Sequence, residues 1–174
     1  MFSKLSDTQM KGLILSGNLT LGGIVGILGG LGMKMHDSLT AEFTPVQKVK
    51  DKNTLDTAKD YYRCFLAFTI IGVCLTAGFV GLSTFSTVMG STTDAIMLKA
   101  AFLSVLLLVF ALIQGSLGVQ VYKNLTSPYT DAQKDKIPKS TKQIHAVFFV
   151  LMAIAVVLCV LLAGWAKFQT SGSF

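Results

Sequence analysis

Charge is what this chain of 174 residues has least of: 14% are Asp, Glu, Lys or Arg, against about 25% in soluble domains. With 52% hydrophobic residues and a mean hydropathy of +0.62, that shortage excludes a disordered chain and disfavours a soluble globular enzyme. Arginine is reduced to Arg63 beside 14 lysines. Few planar forks then remain for phosphate recognition, and the basic residues flank apolar runs, so nucleic-acid binding is not expected. The cysteines are Cys64, Cys74 and Cys159, with no CxxC and no zinc-like spacing. Neither a disulfide framework nor a metal cage is expected from them. Cys74 and Cys159 read as small hydrophobes inside apolar runs, and Cys64 sits at a run's edge, open to acylation.

Chemistry-bearing motifs are equally scarce. No phosphate-binding glycine loop, HExxH or GxSxG is present. The tryptophan–cysteine pattern of claudins and the paired thiols of membrane quinone reductases are missing too. No catalytic, metal-binding or cofactor-binding residue is assigned, and the chain is read as a non-enzyme. Asp51, Asp56 and Asp60 are interleaved with Lys48, Lys50, Lys52 and Lys59, which describes a solvated mixed-charge surface.

What the chain does have is four long apolar runs, at about 13–33, 64–84, 100–121 and 146–166, none containing Asp, Glu, Lys, Arg, His or Pro. Each matches the roughly 20 residues that a helix needs to cross a hydrocarbon core. The fold class is therefore an all-α integral membrane protein. A single membrane domain spans 1–174, with four transmembrane helices in a small bundle and short amphipathic segments in the connections 34–63, 85–99 and 122–145. Met1 to Lys11 is polar and carries Asp7, unlike a transit peptide. The run after it is too long for a signal peptide and is read as a retained span. Pro45, Pro128 and Pro138 all fall in connections.

Helix starts are signalled at Asn53-Thr-Leu-Asp56, at Ser91-Thr-Thr-Asp94 and at Pro138 with Ser140 and Thr141. Ser127-Pro128 suggests a short surface helix through Lys134. Connections 34–63 and 122–145 together carry 11 basic residues, and the remaining polar segments carry four. The positive-inside rule places those two connections on the cytosolic side and both termini opposite. Neither connection is long enough for a core of its own. The sequons at Asn18 and Asn124 read as chance matches, one inside a run and one on the inner side.

The strongest pattern is glycine. Gly22, Gly26 and Gly30 repeat every fourth residue, and Gly23 and Gly29 widen the same smooth surface. Such glycine zippers let helix backbones approach closely in lipid. The surface serves either packing within this bundle or docking to another chain. Leu28 lies about 160° around the helix from Gly26 and is expected to be insensitive to exchange for Ile. Gln114 is the most polar residue deep in the third run, expected to donate across to Thr69, Thr76 or Ser104. His36 and His145 flank the first and fourth runs. They read as interfacial residues, with axial ligation of a b-type haem as the remote alternative.

The functional expectation is a structural or accessory subunit of a larger membrane assembly, in an organellar or energy-transducing complex or in the membrane layer of a large virus. Its partners would be other membrane proteins, with anionic lipid head groups at the lysine-rich connections. The rival expectation is an oligomeric channel or facilitator for a small uncharged solute, lined by Asn18, Thr20, Thr69, Thr76, Ser104 and Gln114.

Overall fold

The computed structural model describes residues 6–43, 45–50, 52–88 and 93–170. These form α1 (Asp7–Ala41), α2 (Pro45–Lys50), α3 (Lys52–Val88), α4 (Thr93–Thr126), α5 (Asp131–Lys136) and α6 (Lys139–Thr170), with no strand among the described residues. The segments Lys11–Ala41, Lys52–Leu82, Lys99–Thr126 and Lys139–Gly164 are each long and apolar enough to cross a membrane. The helices α1, α3, α4 and α6 contain the four apolar runs read from the sequence.

The helices run past the apolar runs because polar ends are capped rather than unravelled. At the start of α1, Ser6 Oγ accepts from the Gln9 N–H at 3.3 Å and Gln9 Oε1 accepts from the Ser6 N–H at 3.0 Å. This reciprocal box satisfies two of the donors that a helix start leaves unpaired. With 35 residues, α1 is about 50 Å long at 1.5 Å per residue, well over the roughly 30 Å of a hydrocarbon core. Two start signals shift in the structure. Helix α3 begins at Lys52, so Asn53 lies in its first turn rather than ahead of it. Helix α5 begins at Asp131 after Thr130, whose N–H donates to Gln133 Oε1 at 3.0 Å. Ser127-Pro128 forms the preceding turn because Ser127 N–H still bonds back to Lys123 O. The Ser91-Thr92 cap lies outside the described residues.

Helices α1 and α4 form the central pair, and α3 and α6 flank it. In the most apolar stretch of each, 44% of residues are buried in α1 and 39% in α4, but only 17% in α3 and in α6. The least apolar helix, α1, is the most buried, and the most apolar, α6, is among the least. A soluble bundle would reverse that order. It is the order expected where apolar surface has no reason to leave its surroundings and helices associate by fit and by hydrogen bonds.

At the end that carries α2 and α5, the two connections meet. Gln47 Nε2 donates to Gln133 Oε1 at 3.0 Å, and Gln133 Nε2 returns a bond to Gln47 Oε1 at 2.6 Å. Gln47 also reaches Pro128 O at 3.2 Å, and Gln133 reaches Glu42 O at 3.5 Å. Beneath this clasp Phe43 and Tyr129 pack edge to face, ring centroids 5.2 Å apart, beside buried Ile137 and Leu125. Neither connection holds a core alone, but the two together close one over the helix ends.

Candidate functional site

The glycines singled out in the sequence fall into two groups. Along α1, Gly22 lies against Thr76 of α3, Gly26 against Val73, Gly29 against Thr69 and Gly32 against Phe65. The two helices run antiparallel, and each glycine leaves room for one α3 side chain. A methyl group at Gly22, Gly29 or Gly32 would collide with its partner, but one at Gly26 would meet Val73 Cγ2 only at 3.7 Å. Gly23 and Gly30 have nothing within 4 Å of a methyl built on them, and both are exposed. The reason is the helical period. Four residues advance about 40° beyond a full turn, so Gly30 has drifted about 80° from Gly22, and seven residues bring Gly29 back to within about 20°. The docking face is Gly22, Gly26, Gly29 and Gly32, and Gly30 and Gly23 belong to the next face around.

That neighbouring face is Gly12, Ser16, Leu19, Thr20, Gly23, Ile27, Gly30 and Lys34, all exposed. At 100° per residue they occupy one sector of about 100°. Its hydroxyls are turned back on the helix: Ser16 donates to Leu13 O at 3.0 Å and Thr20 to Ser16 O at 2.8 Å. Leu28 is fully buried. Its position opposite Gly26 points it into the bundle, because the central helix is covered on both of those sides. Leu28 is therefore a core residue, and its insensitivity to exchange for Ile rests on the equal volume of the two side chains.

The second central helix repeats the device. Gly115 and Gly118 of α4 lie under Met152 and Phe148 of α6. Phe148 and Phe65 are both fully buried, each seated on a glycine of the central pair, with their rings stacked 6.5 Å apart. Among the described residues, nothing lies within 4 Å of a methyl added at Gly78, Gly81 or Gly164.

Gln114 is fully buried in α4. Its Nε2 donates to Thr69 Oγ1 at 3.1 Å and to Phe65 O at 3.4 Å, and Thr69 in turn donates to Phe65 O at 2.7 Å. Gly29 sits against both side chains, so α1, α3 and α4 meet at this one polar point. A second polar contact lies nearer the helix starts, where Ser104 Oγ approaches Asn18 Oδ1 at 3.1 Å and Asn18 Nδ2 donates to Ile14 O at 3.0 Å. Beside it a cavity of about 90 Å³ is lined by Ile14, Asn18, Ala100, Ser104, Cys159 and Leu162 among others. Thr76 spends its hydroxyl on Gly72 O at 2.8 Å. The polar residues therefore form separate small contacts rather than one file.

His36 and His145 lie near the clasped end. His36 Nδ1 is 3.0 Å from Asp37 Oδ1, and its ring lies 5.1 Å from Tyr62 in the α1–α3 seam. His145 packs between Tyr122, tilted at 5.2 Å, and Phe149, edge to face at 5.5 Å, in the α4–α6 seam. Each imidazole thus packs in its own seam, and the structure does not gather the two into one axial pair. Among the described residues no group of three His, Cys, Asp or Glu stands close enough to hold a metal. The three cysteines are free.

Tyr129 has its hydroxyl buried without a hydrogen-bond partner among the described residues. Burial first, and then the charge of Glu42, push its pKa far above the ordinary phenol value. Sequence reasoning passed over Tyr129 and the Gln47–Gln133 clasp because both depend on two connections that are distant in the chain.

These features define a four-helix bundle of membrane-protein composition, held by glycine seats and isolated polar contacts. No protein-family model matches the chain, and no curated protein or solved structure matches it.

Proposed function

We propose that this chain is an integral membrane protein of four spans that serves as a non-enzymatic structural or accessory subunit of a larger membrane assembly. Connections 34–63 and 122–145 lie on the cytosolic side, where the basic residues concentrate, and both termini lie opposite. One observation carries the assembly reading. The central helix keeps an open face of Gly12, Ser16, Thr20, Gly23 and Gly30, interrupted by Leu19 and Ile27 and bounded by Lys34. The covered faces of α1 and α4 show what glycines do in this bundle, which is to seat a neighbouring helix. The open face is likewise rich in small residues and suits a helix from another chain. The polar residues support this reading over a solute path, since Gln114, Thr69, Asn18, Ser104 and Thr76 are engaged within the bundle. The adjoining cavity is lined by apolar side chains apart from Asn18 and Ser104.

The test replaces Gly23 and Gly30 together with Leu. A built methyl meets nothing at either position, so the helix content and melting of the purified chain should stay as in the parent. Recovery of the chain's membrane neighbours by mild solubilisation should fall about tenfold, the effect of roughly 1.4 kcal/mol of lost packing. Unchanged recovery would mean that this face looks at lipid, and the subunit reading would then fail.

A further inference from the structure

We propose that the outer face of α2, formed by Pro45, Val46 and Val49, rests on the acyl–headgroup boundary of an anionic leaflet, with the lysines beside it on lipid phosphates. Among the described residues, every exposed large hydrophobic side chain outside the four long helices belongs to α2. Val46 is 77% exposed and Val49 is 83% exposed. Nearby apolar side chains at the same end behave otherwise: Phe43, Tyr129 and Ile137 are all buried. The fold therefore closes an apolar core here and leaves two valines out of it.

Val46 and Val49 are three residues apart and share a helix face. Gln47, on the other side, is tied to Pro128 and Gln133. That clasp prevents α2 from rolling its valines inward. The helix lies between α1, which ends at Ala41, and α3, which begins at Lys52. Its Lys48 lines a pocket with His36, Asp37, Leu55 and Lys59, on the polar turns just outside the apolar runs. Helix α2 contains Lys48 and Lys50 and no acid, and Glu42 and Asp51 flank it. The two connections at this end carry 11 basic and seven acidic residues.

A small apolar face bordered by lysines fits the interface of an anionic leaflet. A folded partner would need a far larger patch, about 800 Å² a side in a standard interface.

The inference rests on the membrane reading of the chain, so the experiment tests both separately. The only tryptophan, Trp165, is changed to Phe, and Val49→Trp is introduced. The protein is reconstituted into vesicles of zwitterionic lipid alone or with one-third anionic lipid, each with bromine placed either shallow or deep in the acyl chains. Emission should shift to the blue, with quenching by shallow bromine about twofold stronger in anionic vesicles at low salt. Val46→Trp should behave in the same way. Water-like emission without quenching overturns the proposal. A blue shift without bromine quenching also overturns it, since protein then covers the face. Equal quenching in both vesicle types overturns the anionic assignment. Val105→Trp, at a position 56% exposed on α4, should be quenched by deep bromine. If it is not, the membrane reading itself fails. If it is quenched while both α2 tryptophans stay water-like, only the α2 proposal falls.

Discussion

One methyl group has opposite consequences at adjacent positions of α1. At Gly29 it would land on Thr69 Oγ1 and 2.9 Å from Gln114 Nε2. The Thr69 hydroxyl and the Gln114 amide hold each other in place, so neither yields easily. Gly29→Ala should lower stability by about 1–3 kcal/mol, the usual range for overpacking. Gly30→Ala has nothing within 4 Å and should be neutral or gain up to about 1 kcal/mol from helix propensity. Reversible unfolding in detergent, followed by circular dichroism, compares the two. Equal effects would show that the seat on α3 is placed wrongly.

Tyr129 gives a second test at this scale. Its phenol is buried and lacks a partner among the described residues, so Tyr129→Phe should be as stable as the parent at pH 7, or more stable by about 1 kcal/mol. Because the folded pKa is raised, the contribution from Tyr129 is intact below the unfolded value near 10 and is lost as pH rises above it. The advantage of the Phe variant should therefore grow above pH 10, by up to about 1.4 kcal/mol per pH unit. Lysines titrate alike in both proteins and drop out of the difference. A constant difference from pH 7 to pH 11 would place the phenol in water.

Individual residues were legible where one helix sufficed and illegible where rotation or a partner decided. Gln114 had to find a donor–acceptor neighbour, and Thr69 was a candidate from composition alone. The spacing of four picks out Gly22 and Gly26, which lie against Thr76 and Val73 of α3. Gly30 was grouped with them by its spacing of four, although the period of 3.6 turns it onto the open face. Leu28 looked remote from any contact because one packing face was imagined. The buried residues of α1 span about 160° of its circumference, from Gly22 round to Ile24, and Leu28 falls inside that sector.

Whole elements follow a similar division. Length and hydropathy identify the four long helices, because a stretch of about 20 apolar residues has few other structures available. Their polar extensions were less visible. Hydropathy ends at Met33, but α1 continues to Ala41, carrying His36 and Asp37 on its last turns. Helix α5 was expected from Ser127-Pro128 but starts at Thr130, where Gln133 is placed to complete the cap. The connections were judged too short for a core, which is true of each one separately. Gln47 and Gln133 are 86 residues apart, and no local pattern announces that they meet. The clasp pairs two neutral amides reciprocally, so its geometry should be insensitive to salt, unlike the exposed pairs Lys59–Asp56 and Arg63–Asp60, which screening weakens.

For the molecule as a whole, the clasp turns a charge argument into a geometric one. Charge counting assigns connections 34–63 and 122–145 to one side because together they hold 11 of the 15 basic residues. The contacts of Gln47 with Pro128 and Gln133 place both connections at one end of the bundle independently of charge. Four long helices with these two turns at one end put the start of α1 and the end of α6 at the other. A version lacking Cys64, Cys74 and Cys159 should therefore label at Lys48→Cys and Lys134→Cys from the same face. In sealed vesicles of known orientation, an impermeant maleimide should reach both only from the cytosolic face. A short bis-maleimide should also join Gln47→Cys to Gln133→Cys within one chain. Labelling of positions 48 and 134 from opposite faces would require an odd number of crossings between them. The clasp would then be impossible in the membrane, and the bundle would have to be rebuilt around three spans or five.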